Sequence, residues 1–292
     1  MKIHLIDGTY ELFRAYYGAP SRKSPSGIEI AATVAFSRTL MVLLRQRDSS
    51  HVACAFDHTI ESFRNDMFAD YKTGEGVDPD LLNQFSLAEE AAAALGIIVW
   101  PMTQFEADDA LATGALRFQN TPGVKQIVLC SPDKDLAQCV TGTKVVCLDR
   151  RKNLILDEKG VLKKFGVFPD SIPDWLALVG DVTDGIPGVP KWGAISSSTI
   201  LSRYRHLDEI PTDHSTWDVE VRGAHSLAKH LNTHRQKALL YRTLATLRTD
   251  VPLKENLEDL RWRGINWNQL ECLANKTGAP RLLTEAARLV HP

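Results

Sequence analysis

The chain has 292 residues, 44% of them hydrophobic and 24% charged, with 18 glycines and 14 prolines. Such a composition suits one large globular domain or two unequal ones, and excludes a disordered, collagen-like or disulfide-dense chain. Lys and Arg total 34 against 36 Asp and Glu, a formal net charge of −2. A uniformly basic nucleic-acid binder is thereby excluded, so any such function requires local segregation of charge.

In chain order, short apolar runs predict strands over residues 3–6, 51–56, 97–100, 126–130 and 144–147. Helical patterns over 29–46, 80–95 and 108–118 lie between them. This alternation predicts an α/β domain, a mostly parallel sheet with helices on both faces. Past Asp157 the strand signal fades, and a smaller, all-helical region is expected. Five cysteines (Cys54, Cys130, Cys139, Cys147 and Cys272) show neither CxxC spacing nor paired histidines, so reduced thiols are expected rather than zinc or disulfides. Asp7 comes too early for the apolar core of a secretion signal, and the apolar run over 91–101 is too short to span a bilayer. A cytoplasmic protein with no membrane association is expected. Because no heptad or exposed apolar stripe stands out, it is expected to be a monomer.

Acidic residues recur where the predicted strands end. Asp7 closes the first and Asp57 the second; Glu106, Asp108 and Asp109 follow the third, and Asp133 and Asp135 the fourth. Asp181 and Asp184 then frame the Pro/Gly-punctuated stretch up to Gly188. Each alone reads as a helix cap or turn residue. Together, at the carboxyl ends of parallel strands, they converge on the crevice where such sheets bind ligands. So many carboxylates repel one another unless cations neutralise them, and hard oxygen donors point to Mg²⁺ or Mn²⁺, two or more ions per site. Residues 222–248 hold six Lys or Arg and no acid, which favours a polyanion or simply a solvated helix face.

These segments resemble the 5′→3′ exonuclease region of bacterial DNA polymerase I, part of the flap endonuclease family. The resemblance rests on Leu-Ile-Asp7-Gly8, Ala-Phe-Asp57 with Ser-Phe-Arg64, Tyr71-Lys72, and Glu106-Ala-Asp108-Asp109-Ala-Leu-Ala. It continues through Asp133-Lys-Asp135-Leu, Gly180-Asp181-Val-Thr-Asp184-Gly-Ile-Pro-Gly188-Val and Leu244-Ala-Thr-Leu-Arg-Thr-Asp250-Val-Pro-Leu. The motifs stand in family order over nearly the whole chain, without a polymerase region. The resemblance implies a PIN-like nuclease domain over 1–165, with an arch over about 60–96, and a helical DNA-binding domain over 166–292 with a helix-three-turn-helix over about 180–205. It implies a structure-selective 5′ nuclease that hydrolyses DNA at a 5′ flap, nick, gap or 5′ end, in replication or repair. A separate polymerase or single-strand-binding protein is an expected partner in the bacterial cytoplasm.

Carried over by motif, the resemblance implies that the nine acids are the metal ligands. It implies that Lys72 in a mobile arch would neutralise charge on the scissile phosphate and that Arg64 would hold a nearby phosphate. Gly188, Gly193, Ser196 and Ser197 would bring backbone amides and hydroxyls to the duplex, and Arg222, Lys229, Arg235 and Lys237 would track it. The sequence departs from the family at three places. Glu75 stands where relatives carry an arginine, Lys191 where they carry a glycine, and Ile195 where they carry a lysine. In relatives this turn can bind a monovalent cation such as K⁺; Lys191, where a positive φ is costly for a side-chain-bearing residue, and Ile195 put that site in doubt and predict weaker or altered duplex binding. A structure-selective DNA-binding module with little turnover and a phosphatase of small phosphoesters are the competing readings.

Overall fold

The structure, a computed structural model, describes residues 1–46 and 48–289. From the N-terminus run β1 (Lys2–Asp7), α1 (Gly8–Gly18), α2 (Ala31–Leu44), β2 (Ser49–Asp57), α3 (Phe63–Met67), α4 (Pro79–Leu82) and α5 (Phe85–Ala94). Next come β3 (Ile98–Met102), α6 (Ala107–Phe118), β4 (Gln126–Cys130), β5 (Val145–Asp149), β6 (Leu154–Leu156) and α7 (Glu158–Phe165). Helices α8 (Ile172–Val179), α9 (Ala194–Tyr204), α10 (Ala224–Ala245), α11 (Trp267–Thr277) and α12 (Arg281–Ala287) complete the described chain. They are shared between two compact units, one built from Met1–Ser62, Gly74–Ser131 and the segment from Arg248 on, the other from Phe63–Thr73 and Pro132–Leu247.

In the first unit the parallel strands lie in the order β3-β2-β1-β4. Strand β1 is central and its Ile3, Leu5 and Ile6 are fully buried. Continuous apolar runs of this kind mark a sheet covered on both faces. A helix that the sequence pattern did not single out, α1, begins as soon as β1 ends. Asp7 Oδ1 accepts from Tyr10 N at 2.8 Å and caps it. The stretch predicted as one helix over 80–95 divides into α4 and α5 at Gln84. That side chain, fully buried, accepts from Thr33 N at 3.0 Å and returns Nε2 to the Asp80 carbonyl at 2.9 Å. Residues beyond 248 close this unit: Val52 N donates to Leu260 O, and Leu270, Leu273 and Leu282 are buried.

The second unit is largely helical, with β5 and the unanticipated β6 as an antiparallel hairpin. Asp157 caps α7 through Gly160 N at 2.8 Å, and Gly166 ends it at φ +71°. Asp174, 1% exposed, sits on α8 and accepts from Leu207 N, His206 Nδ1 and Arg242 Nη1. It ties α8 to α10 and to the turn after α9.

Candidate active site

In the first unit the acids gather where β1 and β2 end and α6 begins. Gly8 lies so close to β2 that a Cβ there would stand 2.5 Å from the Phe56 ring and 2.8 Å from the Ala55 carbonyl. Asp7, 6% exposed, accepts from Ser131 Oγ at 2.8 Å with the oxygen that does not cap α1. Asp57 ends β2, donates its amide to Thr9 Oγ1 at 2.8 Å, and accepts on Oδ1 from Ala107 N at 2.7 Å. Beside it, Glu106 Oε1 accepts from Ser62 Oγ at 2.7 Å, and the Glu106 amide donates to Asp109 Oδ2 at 3.0 Å. Asp109 is wholly buried, and its Oδ1 accepts from Arg248 N at 2.8 Å. Asp109 therefore organises the start of α6, while Asp108 on the same turn is half-exposed.

The second unit holds a tighter group. Carboxylate oxygens of Asp135, Asp181 and Asp184 lie within 4.8 Å of one another. Asp135 follows β4 on a 3-10 turn whose first amide is held by Asp133 Oδ1 at 2.9 Å. Asp133 is exposed; Asp135 and Asp181 are buried. Reciprocal 2.7 Å bonds between Asp181 and Ile186 close the loop bearing Asp181 and Asp184, and Asp181 Oδ1 accepts from Thr183 N at 3.1 Å. Asp135 Oδ1 is buried with no hydrogen-bond partner among the described residues. A buried carboxylate oxygen without a donor is costly, and burial, then Asp133, Asp184 and Asp181, push this carboxyl well above the usual carboxylate range, against Lys134. Lys134 Nζ stands 2.7 Å from Asp181 Oδ2. Burial draws the Lys134 ammonium down, but the Asp181 hydrogen bond and charge, with Asp135 and Asp133, outweigh it and raise its pKa. An orphaned oxygen inside a cluster of hard donors is the arrangement a divalent cation completes.

The segment bearing Lys72 is fixed to this loop. Lys72 N donates to the Asp184 carbonyl at 3.1 Å, and Asn65 Nδ2 donates to the carbonyls of Tyr71 at 3.3 Å and Lys72 at 3.0 Å. Tyr71 is 3% exposed, so the stretch expected to be a mobile arch begins as an anchored loop. The expected role of Arg64 needs correcting. It is 1% exposed, and its Nε and Nη2 donate to the carbonyls of Leu244 at 2.8 Å and Thr246 at 3.1 Å. Those bonds brace the end of α10, whereas holding a phosphate requires an accessible guanidinium.

An open groove of about 880 Å³ lies between the starts of α9 and α10, lined among others by Lys191, Gly193, Ser196, Arg222 and Ser226. Gly188, at φ +75°, approaches the end of α8 so closely that a Cβ would stand 2.6 Å from Gly180 N. Lys191 adopts φ +72° despite its side chain. The turn enforces this: Val189 N bonds Leu178 O, Trp192 N bonds Val189 O, and Trp192 Nε1 reaches Leu227 O. Ser196 exchanges hydrogen bonds of 3.1 Å with Gly193 at the start of α9. Ser197 is wholly buried, so its expected contact with DNA is not open to it. The basic stretch divides likewise. Arg222, Lys229 and Lys237 are exposed, whereas Arg235 donates to Leu207 O at 3.3 Å and Ile210 O at 2.9 Å, inside the unit. Sequence reasoning passed over Lys134, although its place between two acids was a usable signal. Nothing in the sequence marked Asn65.

The chain matches the family models described as 5′-3′ exonuclease, N-terminal resolvase-like domain, over residues 2–166, and 5′-3′ exonuclease, C-terminal SAM fold, over residues 167–268. The chain belongs to the 5′-3′ exonuclease family. It is 28% identical over 259 residues to a 5′-3′ exonuclease of Buchnera aphidicola, covering 88% of this chain and 90% of that one. DNA polymerase I of Bacillus caldotenax is 30% identical over 283 residues, which is 95% of this chain and 31% of that polymerase. The chain thus spans about a third of the length of the polymerase relatives it matches. Among solved structures, T5 5′-exonuclease with bound zinc superposes at a TM-score of 0.67 with 16% identity, covering 99% of this chain and 98% of that one. The catalytic core of Rad2 in complex with a DNA substrate superposes at 0.63 with 16% identity, covering 100% of this chain and 92% of that one. Among the described residues of this 5′-3′ exonuclease family member, no helix is long and apolar enough to cross a membrane.

Proposed function

We propose that the chain is a structure-selective 5′ nuclease that hydrolyses DNA phosphodiesters at single-strand/double-strand junctions with Mg²⁺ or Mn²⁺. The observation carrying this reading is the buried, unpartnered Asp135 Oδ1 within the Asp135–Asp181–Asp184 group. Asp133, Asp135, Asp181 and Asp184 would hold ions in one group, and Asp7, Asp57, Glu106, Asp108 and Asp109 supply the family's other acidic positions. Bound ions of this kind lower the pKa of a water and stabilise the leaving oxygen. Lys134 neutralises Asp181 and keeps that oxygen from repelling its neighbours. Lys72, with its main chain tied to Asp184, carries a cation to the phosphate undergoing attack. At the groove the first amides of α9, with Lys191 and Arg222, and farther along α10 the exposed Lys229 and Lys237, take duplex phosphates without reading bases. Arg64 and Arg235 serve this as braces. In domain terms we assign nuclease chemistry to residues 1–165 together with Asp181 and Asp184, and duplex binding to the rest of the following region up to residue 247, the motif over about 180–205 included, since the segment from Arg248 on belongs to the first unit.

The test is cleavage of a 5′-labelled flap, a nicked duplex and a single strand with Mg²⁺, Mn²⁺ or EDTA, beside Asp135→Asn. Metal-dependent products from flap or nick, reduced on the order of a hundredfold or more in the variant, are expected. Binding without product under either metal would sink the enzyme reading and leave a DNA-binding module.

A further inference from the structure

Strand β6 stands at one end of the strand order and, among the described residues, pairs with β5 alone, through Cys147↔Leu156, Leu148↔Ile155 and Asp149↔Leu154. Natural edge strands are blunted by a charge, a proline or a covering element. Leu154–Leu156 carries no charge or proline, and Leu154 and Ile155 are 56% and 57% exposed. Consecutive strand residues point to opposite faces, so both faces of this edge offer apolar surface.

The hairpin is preformed. Asp149 Oδ1 accepts from Arg151 N at 3.0 Å and Lys152 N at 3.1 Å, and Asn153 turns the chain at φ +51°. The charge around it is predominantly positive. Residues 150–164 contain six Lys or Arg and two acids. Both acids are engaged locally, Asp157 with Gly160 N at 2.8 Å and Glu158 with Gly142 N at 3.0 Å. Arg151 makes no ion pair among the described residues, and Lys152 approaches Asp149 only to 3.7 Å. Helix α7 packs against β6 at Gly160, where a Cβ would meet Leu156 at 3.0 Å, and presents exposed Lys159, Lys163 and Lys164.

We propose that β6 is a docking edge for an extended acidic segment of a partner protein, in which carboxylates alternate with apolar residues. The segment adds as a further strand. Its main chain takes the open edge, its apolar side chains lie on one face against Ile155, and its carboxylates lie on the other, the face of Leu154 and Leu156 on which α7 packs, toward Arg151, Lys152 and the α7 lysines. A nucleic acid would use the cations but has no need of an apolar strand edge, so the combination favours a peptide.

The full chain is titrated into a fluorescein-labelled ten-residue peptide alternating Asp with Val, read by anisotropy at low and high salt. Saturable binding is expected, weakened about tenfold in the double variant Arg151→Glu, Lys152→Glu and in the double variant Leu154→Gln, Ile155→Gln, while flap cleavage stays at the wild-type rate. A peptide N-methylated at alternate residues should lose binding to the unaltered protein, a readout that no folding defect imitates. Equal affinity for the methylated peptide, or unchanged affinity in both double variants, overturns the proposal. So does displacement of the peptide by an equally charged oligothymidylate at equal concentration, or sedimentation showing that a second copy of the chain occupies the edge instead.

Discussion

Asp135 is held in a place where its charge is unfavourable, 6% exposed, beside three other acids and with one oxygen lacking a donor. A carboxyl whose folded-state pKa is raised destabilises the metal-free fold as pH climbs above the unfolded value near 4, and the deficit levels off only above the raised folded value. At neutral pH in EDTA, Asp135→Asn should therefore melt higher than wild type, by roughly 2–4 °C. Divalent metal should reverse the order, because only the carboxylate gains from the ion. Thermal melts in EDTA and in Mg²⁺ decide this, and a variant no more stable than wild type in EDTA would show that the site carries no such strain. At this scale the acids were readable because strand ends are readable. Arg64 and Ser197 were not, since burial is settled by tertiary neighbours such as the Leu244 carbonyl, far away in sequence.

Between elements, the loop carrying Asp181 and Asp184 and the segment carrying Lys72 are held together by close main-chain approach at Gly185. Its φ is +71°, and a Cβ there would stand 2.2 Å from the Asp70 carbonyl oxygen. Backbone cannot yield as a flexible side chain can, so Gly185→Ala should cost about 1–3 kcal/mol and push residues 70–72 away from Asp184. The expected outcome is a folded protein with a lowered melting temperature and flap cleavage reduced on the order of tenfold or more. Gly18→Ala, where a Cβ meets nothing within 4 Å, is the control and should leave both unchanged. Equal cleavage by the two variants would refute the coupling. The sequence announced a turn here through its Pro/Gly punctuation, yet gave no sign of the segment at 70–72 that it packs against. Likewise α1 and β6 escaped the pattern, the first because its Asp7 cap read as the close of β1, the second because three residues are too few for a period.

Over the whole chain, the first unit takes in segments from both ends of the sequence, and a split near residue 165 removes everything from Arg248 on. Those residues supply buried Leu260, Leu270, Leu273 and Leu282, the Val52–Leu260 main-chain bond, and Trp262 Nε1, which donates to the Leu95 carbonyl at 2.8 Å. Four buried leucines withdrawn, at about 2–5 kcal/mol for each such core side chain, rival the whole stability of an ordinary domain. Expressed alone, residues 1–165 should give no cooperative thermal transition and rapid proteolysis, although the N-terminal family model ends at residue 166. Adding residues 248–292 as a separate peptide should restore a transition whose midpoint rises with peptide concentration, as mass action requires. A fragment that melts cooperatively by itself would show that the return of the chain to its first unit is dispensable.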